Sequence, residues 1–362
     1  MGVAVKDLAR AQHVIGKFNV KLFQSPVWQP PRRSFPMSLN YAQNLFRNGY
    51  WHLPSLKANL KAWLHLLETF QADFILADHA PTAILAAKLM RLPRGALGAG
   101  LALPPFVSPM PSLHPWLAIP KKLLLEKEKE CTHQINWVLA ELDAESIECL
   151  ADIFDGTEIF LTTCPELDHY ANRPKADYRG PILSAATEHE PEWPCVKSDK
   201  IFIYINYRYR FFSAIMDAVK KKGMPALAVI PDIPETERKV WESKTLAISS
   251  GPVNFKTAAR ECSFAVTHGG FNTANLALLS EKPLLILPEQ LEQALLAYRI
   301  TGQGLGMMVN WFNPRPNISQ KLDALIRSET LLVNARAFVK KYPNYDSAGT
   351  VNRICRRISS LL

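Results

Sequence analysis

Short, fully apolar runs alternate along this chain with longer segments in which apolar residues recur every three or four positions. An unbroken apolar run of four to six residues is typical of a strand buried on both faces of a parallel sheet, and the longer period is typical of an amphipathic helix. Their alternation predicts an α/β fold. The clearest strand candidates are residues 72–78 (ADFILAD), 201–205 (IFIYI), 226–230 (ALAVI), 263–267 (SFAVT) and 283–288 (PLLILP).

Helical periodicity fills most of the segments between these strands. A helix over residues 211–222 is supported by lysines in its last turn and by Gly223 after it, which suit the negative end of the helix dipole and a left-handed cap. The other predicted helices cover residues 7–15, 82–90, 118–143 (one helix or a pair), 319–342 and 348–362.

The length of 362 residues predicts two domains. A segment of Pro, Ser and acidic residues with little periodicity lies in the middle of the chain and is typical of a linker. We therefore expect a first domain over residues 1–180, a linker over 181–199, a second domain over 200–345 and a final helical segment over 346–362.

The net charge of +9 favours anionic ligands or peripheral contact with an anionic membrane. Nucleic acid is not the expected partner, because the basic residues are dispersed and are not interleaved with stacking aromatics. Six widely spaced cysteines without a CxxC pair are typical of a reducing compartment. We find neither an apolar run of 18 residues nor a signal-peptide pattern, and we expect a cytoplasmic protein.

The most informative stretch for chemistry follows the strand candidate 263–267. It continues as His268, Gly269 and Gly270, and then Asn272 and Thr273 open a helix. A strand that leads through a glycine turn into a helix N-terminus forms an anion site, because free N–H groups and the helix dipole converge there.

The next strand candidate, 283–288, ends at Pro288 and is followed by Glu292 and Gln293 at the start of another helix. In a parallel sheet the two strand ends lie side by side, so both sets of side chains should meet at one crevice. Taken singly, each residue is equally well explained as a helix cap or a solvated helix start.

In this order and spacing, HGGFNT, PLLILP and EQ resemble the nucleotide-sugar site of GT-B glycosyltransferases, in the branch related to macrolide and flavonoid (UDP-glucuronosyl and glucosyl type) enzymes. The resemblance implies two Rossmann-like domains facing across a cleft, with the final helix crossing back to the first domain. It implies a hexosyltransferase that uses a nucleotide-sugar, expected to be uridine-linked, without a metal or a further cofactor. The acceptor would be a small molecule or a lipid.

Carried over residue by residue, the resemblance implies that the HGG turn, Asn272 and Thr273 bind the diphosphate. It also implies that Glu292 and Gln293 bind the sugar. It adds a phosphate contact from Arg208 and a base contact from the backbone of Val253. The implied donor-binding residues are Arg208, Val253, His268, Gly269, Gly270, Asn272, Thr273, Glu292 and Gln293.

Three positions depart from the family pattern. Leu276 stands where the family usually has a Glu that reaches the ribose, Leu296 where an Asn is common, and Lys282 where a Gly precedes the Pro. These departures spare the phosphate site and weaken the expected ribose and sugar contacts.

The N-terminal domain of the family opens with a strand, a glycine turn that carries the catalytic His, and a helix. Residues 1–28 (MGVAV, the helical run KDLARAQHVIG and the strand-like NVKLFQSPVW) resemble the second strand and helix of that domain, so we expect the first unit to be missing, through a miscalled start, a truncated gene or a true loss. The remaining candidates are His79 as a substitute base and Asp78 as its orienting carboxylate, at the end of the strand 72–78. Helix capping is the alternative for both.

Two further interpretations stay open. The departures and the missing unit suit a non-catalytic truncated paralogue that binds a nucleotide-sugar or a partner protein. A sugar-nucleotide epimerase on the same fold is less favoured, because the expected acidic and basic cleft residues are not recognisable. The sequence also lacks HExxH, GxSxG, Walker A and paired Cys/His metal motifs.

Overall fold

The computed structural model describes residues 1–29, 36–171, 173–174, 176–183, 189–194, 198–310, 312–343 and 345–362. The chain forms two compact units. Unit 1 comprises Met1–Thr162, Asn172–Tyr178 and Arg353–Leu362, and unit 2 comprises Thr163–Ala171 and Arg179–Asn352. None of the helices within the described ranges is long and apolar enough to cross a membrane.

Unit 1 begins with a small parallel βαβ unit. Strands β1 (Gly2–Val5) and β2 (Lys21–Gln24) pair in parallel, and helix α1 (Leu8–Ile15) connects them. Helix α1 starts there because the side chain of Asp7 accepts a hydrogen bond from the N–H of Arg10, which satisfies one of the free donors of the first turn.

The rest of unit 1 is a three-stranded parallel sheet covered by helices. Its strands lie in the order β3, β4, β5, and α3, α4 and α5 pack around an apolar core that includes Leu60, Ile84 and Ile135. The elements are α2 (Tyr41–Leu45), an irregular turn at Phe46–Tyr50, α3 (Leu53–Phe70), β3 (Ile75–Asp78), α4 (Pro81–Leu89), β4 (Arg94–Gly98), α5 (Lys121–Ala140) and β5 (Glu158–Leu161).

Unit 2 is built on six parallel strands. They are β6 (Ile201–Tyr204), β7 (Ala226–Val229), β8 (Leu246–Ser249), β9 (Phe264–Thr267), β10 (Leu284–Ile286) and β11 (Gly306–Met308). The spatial order is β8, β7, β6, β9, β10, β11. This is the order of a doubly wound dinucleotide-type fold, in which the connections reverse direction between the first and fourth strands, here β6 and β9.

Helices cover both faces of this sheet. Alternate residues of β6 enter different cores: Ile201 and Ile203 pack on one side, and Phe202 packs on the other. This explains the unbroken apolar runs, because a strand covered on both faces has no solvent-facing positions. The helices are α6 (Phe212–Lys222), α7 (Glu235–Trp241), α8 (Phe255–Glu261), α9 (Phe271–Leu279), α10 (Leu291–Gly302), α11 (Ile318–Ile326), α12 (Glu329–Lys340) and α13 (Ser347–Ser359).

The predicted α/β class is confirmed, and the structure adds elements that were not predicted. Strands β4 and β11, which are short and contain glycine, were not predicted, and neither were α7 and α8. The segment predicted as helical over residues 319–342 is divided into α11 and α12, because the side chain of Ser328 accepts the N–H of Leu331 and starts α12. Much of the predicted linker, at 184–188 and 195–197, lies outside the described residues, and the domain boundaries stay a prediction.

Candidate functional site

The candidate site lies at the carboxyl ends of β6 and β9. These strands are neighbours, with Tyr204 opposite Thr267 in the last register pair. Because the connections after β6 and β9 lead to opposite faces of the sheet, a crevice opens between them, and ligands of such folds bind there. The residues that follow, Asn206 and His268, face each other across this point, since the backbone N–H of Asn206 donates to Nε2 of His268 at 2.5 Å.

His268 is a buried, neutral imidazole. Its residue is only 8 % exposed, and burial lowers its pKa to about 4. Because Nε2 accepts a hydrogen bond, the proton of the neutral ring is on Nδ1. That atom lies 3.3 Å from Oε2 of Glu289, although the geometry is not that of a hydrogen bond. His268 therefore acts near pH 7 as a polar link between strand ends and carries no positive charge.

Glu289 and Tyr209 complete the surroundings of His268, and sequence reasoning missed both. Burial raises the pKa of the Glu289 carboxyl. The ring of Tyr209 lies 5.9 Å from the imidazole in an edge-to-face arrangement, and its hydroxyl is buried. Burial also raises the pKa of Tyr209 to about 12. The position of Glu289 directly after Pro288 was the only available signal.

The two glycines after His268 have different roles. Gly269 has a φ of +85°, and a Cβ there would lie 2.6 Å from Cγ2 of Ile286. Both facts favour glycine, because other residues rarely adopt this backbone conformation and have no space here. Gly270 has an ordinary φ of −58°, and nothing lies within 4 Å of the position that a Cβ would take. Gly270 is the N-cap of α9, so this open space lies at the N-cap position of that helix.

The N-terminus of α9 is open as an anion site. Gly270 is the N-cap and provides no side-chain hydrogen bond, so the N–H groups of the first turn have no acceptor within the helix. The partial positive charge of the helix end adds to these donors. The polar residues of this turn, Asn272 and Thr273, are exposed and half-buried, respectively.

A pocket of about 830 Å³ in unit 2 adjoins this helix end. Asn272 and Thr273 line it, and so does Val253, which was expected to contact the base. Two cations of α8, Lys256 and Arg260, also line it, and neither forms an ion pair with a carboxylate of the described residues. The pocket therefore combines apolar walls with two cations that are not ion-paired, and Asp346 also lines it.

Glu292 and Gln293 lie at the start of α10, next to the glycine turn. A Cβ placed on Gly269 would lie 3.4 Å from the carbonyl oxygen of Gln293, which shows that the two motifs meet as predicted for neighbouring strand ends. The side-chain oxygen of Gln293 accepts the N–H of Glu289 at 2.8 Å, so it stabilises the local turn. Glu292 is exposed in the first turn of the helix.

Arg208 lies in the turn after β6 with its side chain exposed. Its backbone N–H donates to the side chain of Asn206 at 3.0 Å, and its guanidinium forms no ion pair within the described residues. This leaves the guanidinium available to a ligand, and Arg208 is not among the described residues that line the pocket.

Asp78 and His79 belong to unit 1, at the end of β3. Both are exposed, and His79 has a φ of +46°. The pKa of His79 is lowered, chiefly because surrounding atoms hinder hydration of the charged imidazole and also because Lys6 repels it, while Asp78 acts in the opposite direction. A neutral imidazole beside a carboxylate is a suitable proton acceptor.

Comparison with known proteins identifies the fold. No family model matches the chain. It is 31% identical over 90 residues to a zeaxanthin glucosyltransferase of Pseudescherichia vulneris; this match covers 25% of the chain and only 21% of that enzyme. Two glycosyltransferases of solved structure resemble nearly the whole chain. The kitacinnamycin enzyme has a TM-score of 0.68 at 15% identity, covering 100% of this chain and 91% of its own.

The second is SsfS6 of Streptomyces sp. SF2575, solved with thymidine diphosphate. Its TM-score is 0.61 at 16% identity, and the match covers 98% of this chain and 91% of SsfS6. The resemblance to GT-B glycosyltransferases that the sequence indicated is thus confirmed as to fold.

Proposed function

We propose that this chain, which has the fold of these glycosyltransferases, transfers a hexosyl group from a nucleoside diphosphate sugar to an acceptor hydroxyl. The observation that carries the proposal is the uncapped N-terminus of α9 at the switch point of the sheet, beside a pocket that contains two unpaired cations. Glycosyl transfer needs such a site, because negative charge develops on the departing diphosphate.

The donor is bound through its diphosphate. The free N–H groups of α9 and the open space at Gly270 allow the phosphate oxygens to approach the backbone closely. Lys256 and Arg260 add positive charge, so the proposed transfer does not depend on a metal ion. His268 holds the turn in place through its hydrogen bond with Asn206 and offers a neutral Nδ1–H.

The base is proposed to be a pyrimidine. Uridine is the nucleoside that the sequence resemblance implied, and the SsfS6 complex contains thymidine. A contact from the backbone of Val253 would not separate the two, because uracil and thymine present the same hydrogen-bonding edge. The proposed contact between the base and Val253 is supported by the fact that Val253 lines the pocket.

The proton of the acceptor is proposed to move to His79. The acceptor oxygen forms a bond to the anomeric carbon while the bond from that carbon to the diphosphate oxygen breaks. The proton passes to the neutral imidazole, and Asp78 stabilises the resulting charge. The curated relative is named for zeaxanthin, and a small-molecule or lipid hydroxyl is the proposed acceptor here. Action in the cytoplasm, with peripheral contact to an anionic membrane, is part of the same proposal.

The experiment is calorimetric titration of the full chain with UDP and with thymidine diphosphate, followed by an assay for nucleotide release from UDP-glucose. We expect the wild-type chain to bind nucleotide. We expect the His268→Ala variant to lose this binding while circular dichroism shows that it is still folded. Unchanged binding in that variant would show that the site assignment is wrong. If neither nucleotide binds, the proposed function fails. Binding without transfer to any acceptor would favour a non-catalytic nucleotide-sugar binder.

A further inference from the structure

Residues 189–194, which we call the clamp segment, contact the start of helix α8. The backbone N–H of Asn254, the N-cap residue of α8, donates to the carbonyl oxygen of His189 at 2.6 Å. The side-chain amide of Asn254 donates from Nδ2 to Oε1 of Glu190 at 2.8 Å, and its Oδ1 accepts the N–H of Thr257 at 3.2 Å. Asn254 therefore forms two hydrogen bonds with the clamp segment and one with the first turn of α8.

A second anchor fixes the clamp segment at the other end of α8. Nε1 of Trp193 donates to Oε2 of Glu261, the last residue of the helix, at 2.6 Å, and Nζ of Lys200 lies 4.9 Å from the centre of the indole ring. The half-buried ring also packs against one of the apolar cores of unit 2. Along the helix, Asn254 and Glu261 are about 10 Å apart, which is also the reach of the three extended residue steps from Glu190 to Trp193. An extended segment of this length therefore spans α8.

The hydrogen bond to His189 fixes the direction of the Val253 carbonyl. That carbonyl and the N–H of Asn254 belong to one peptide group, which is planar and trans, so the two groups point in opposite directions. Because His189 accepts the N–H, the carbonyl cannot rotate unless this hydrogen bond breaks. Val253 is buried and lines the pocket, and its backbone is the proposed contact of the base. The clamp segment therefore acts on the group that would recognise the base.

From this arrangement we propose that the clamp segment orients the backbone of Val253 for base recognition, with Glu190 as a positioning residue that acts through Asn254. The inference rests on the proposed function, because it concerns how the nucleotide is recognised. Glu190 is exposed and is not among the described residues that line the pocket. Without its hydrogen bond, a smaller fraction of molecules holds the carbonyl in the binding direction, and the apparent affinity for the nucleotide falls by that fraction.

The first test is calorimetric titration of the full-length Glu190→Ala variant with UDP. Loss of one hydrogen bond from the clamp segment should weaken UDP binding about 3- to 10-fold. Charge alone predicts the opposite sign, because the variant loses a negative charge and UDP is an anion. The matched control is Glu192→Ala, which removes the same charge two residues away. The structure gives the Glu192 carboxylate no ion pair or hydrogen bond within the described residues, so this variant should not weaken binding.

Inorganic pyrophosphate separates a positioning role from a general loss of structure. It carries the phosphates of UDP without the base, so Glu190→Ala should leave its affinity within about twofold of the wild type. A general loss of structure would weaken the binding of both ligands, and urea denaturation of the same variant would then show a lower free energy of unfolding.

A reversed pair tests the hydrogen bond itself. Asn254→Asp keeps the oxygen that caps α8, and Asp is as good an N-cap residue as Asn, but the change places two carboxylates against each other. UDP binding should weaken by at least about 3-fold, and adding Glu190→Gln, which restores a donor facing an acceptor, should return it to within about twofold of the wild type. Asn317→Asp makes the same change at the N-cap of α11 and should leave UDP binding unchanged.

Three results would overturn the inference while leaving the proposed function intact. One is UDP binding by Glu190→Ala as tight as that of the wild type. The second is equal weakening of UDP and pyrophosphate binding in this variant. The third is a reversed pair that binds UDP no better than Asn254→Asp alone. Absence of UDP binding by the wild-type chain would instead contradict the proposed function.

Discussion

The adjacent glycines at 269 and 270 provide a matched test of fold against ligand binding. Alanine at Gly269 must adopt a left-handed conformation, which costs about 1–2 kcal/mol for a residue with a Cβ. Its methyl group would also meet Ile286 at 2.6 Å, and such overpacking costs about 1–3 kcal/mol. Gly269→Ala should therefore lower the free energy of unfolding by about 2–5 kcal/mol.

Alanine at Gly270 should behave oppositely. The φ of −58° suits alanine, and nothing lies within 4 Å of the new methyl group. Alanine restricts the unfolded chain more than glycine does, which slightly stabilises the fold, but it is a poorer N-cap residue than glycine, which slightly destabilises the helix. Both effects are small, so the free energy of unfolding should change by less than about 1 kcal/mol. The methyl group would occupy the space through which phosphate approaches the N–H groups of α9. We expect at least about tenfold weaker UDP binding, or about 1.4 kcal/mol.

Urea denaturation measures the first quantity and calorimetric titration the second. We expect Gly269→Ala to lose stability, and we expect Gly270→Ala to lose UDP binding while it keeps the stability of the wild type. A Gly270→Ala variant that binds UDP as tightly as wild type would refute a phosphate site at this turn. A Gly269→Ala variant of wild-type stability would refute the packing of the turn against Ile286.

Three further predictions concern titration and charge. Folding lowers the pKa of His268 from 6.5 to about 4, so the unfolded chain binds more protons than the folded chain between these pH values. The free energy of unfolding should therefore fall by about 3 kcal/mol as the pH drops from 6.5 to 4, and His268→Gln should remove this pH dependence in urea denaturation at several pH values. His79→Gln should lower the turnover number about 10²- to 10⁴-fold and leave UDP binding unchanged, since it belongs to unit 1; weakened binding would contradict its role as base. Arg260→Gln should weaken UDP binding about two- to fivefold at low salt and have no effect at 1 M salt; an equal effect at both would show that charge is not the cause.

The part of the site that could be predicted is the part with local signals. Strands β9 and β10 are unbroken apolar runs, each followed by a turn residue and a helix, so their side-by-side ends followed from the sequence. The fold class followed for the same reason. Strand β11 was not predicted, because a strand of three residues that begins with Gly306 has too little sequence pattern to distinguish it from a loop.

The surroundings of His268 could not be predicted, because they depend on contacts between distant segments. Asn206 is 62 residues away along the chain, and its backbone N–H carries no residue-specific signal. Tyr209 lies in a stretch of aromatic and basic residues whose pattern does not show which rings, here Tyr209 and Phe212, are buried. The lowered pKa of His268 follows from this burial, and the sequence alone carries no signal for it.

The hydrogen bond between Asn206 and His268 also has a consequence for motion. The amide of Asn206 lies in a turn beyond the end of β6, where an exposed residue would normally exchange its amide proton within seconds. Because a buried imidazole accepts this proton, its exchange requires the ends of β6 and β9 to separate. Asn206 is thus a natural reporter of crevice opening, and the slowing of its amide exchange relative to a free amide gives the free energy of that opening without any label.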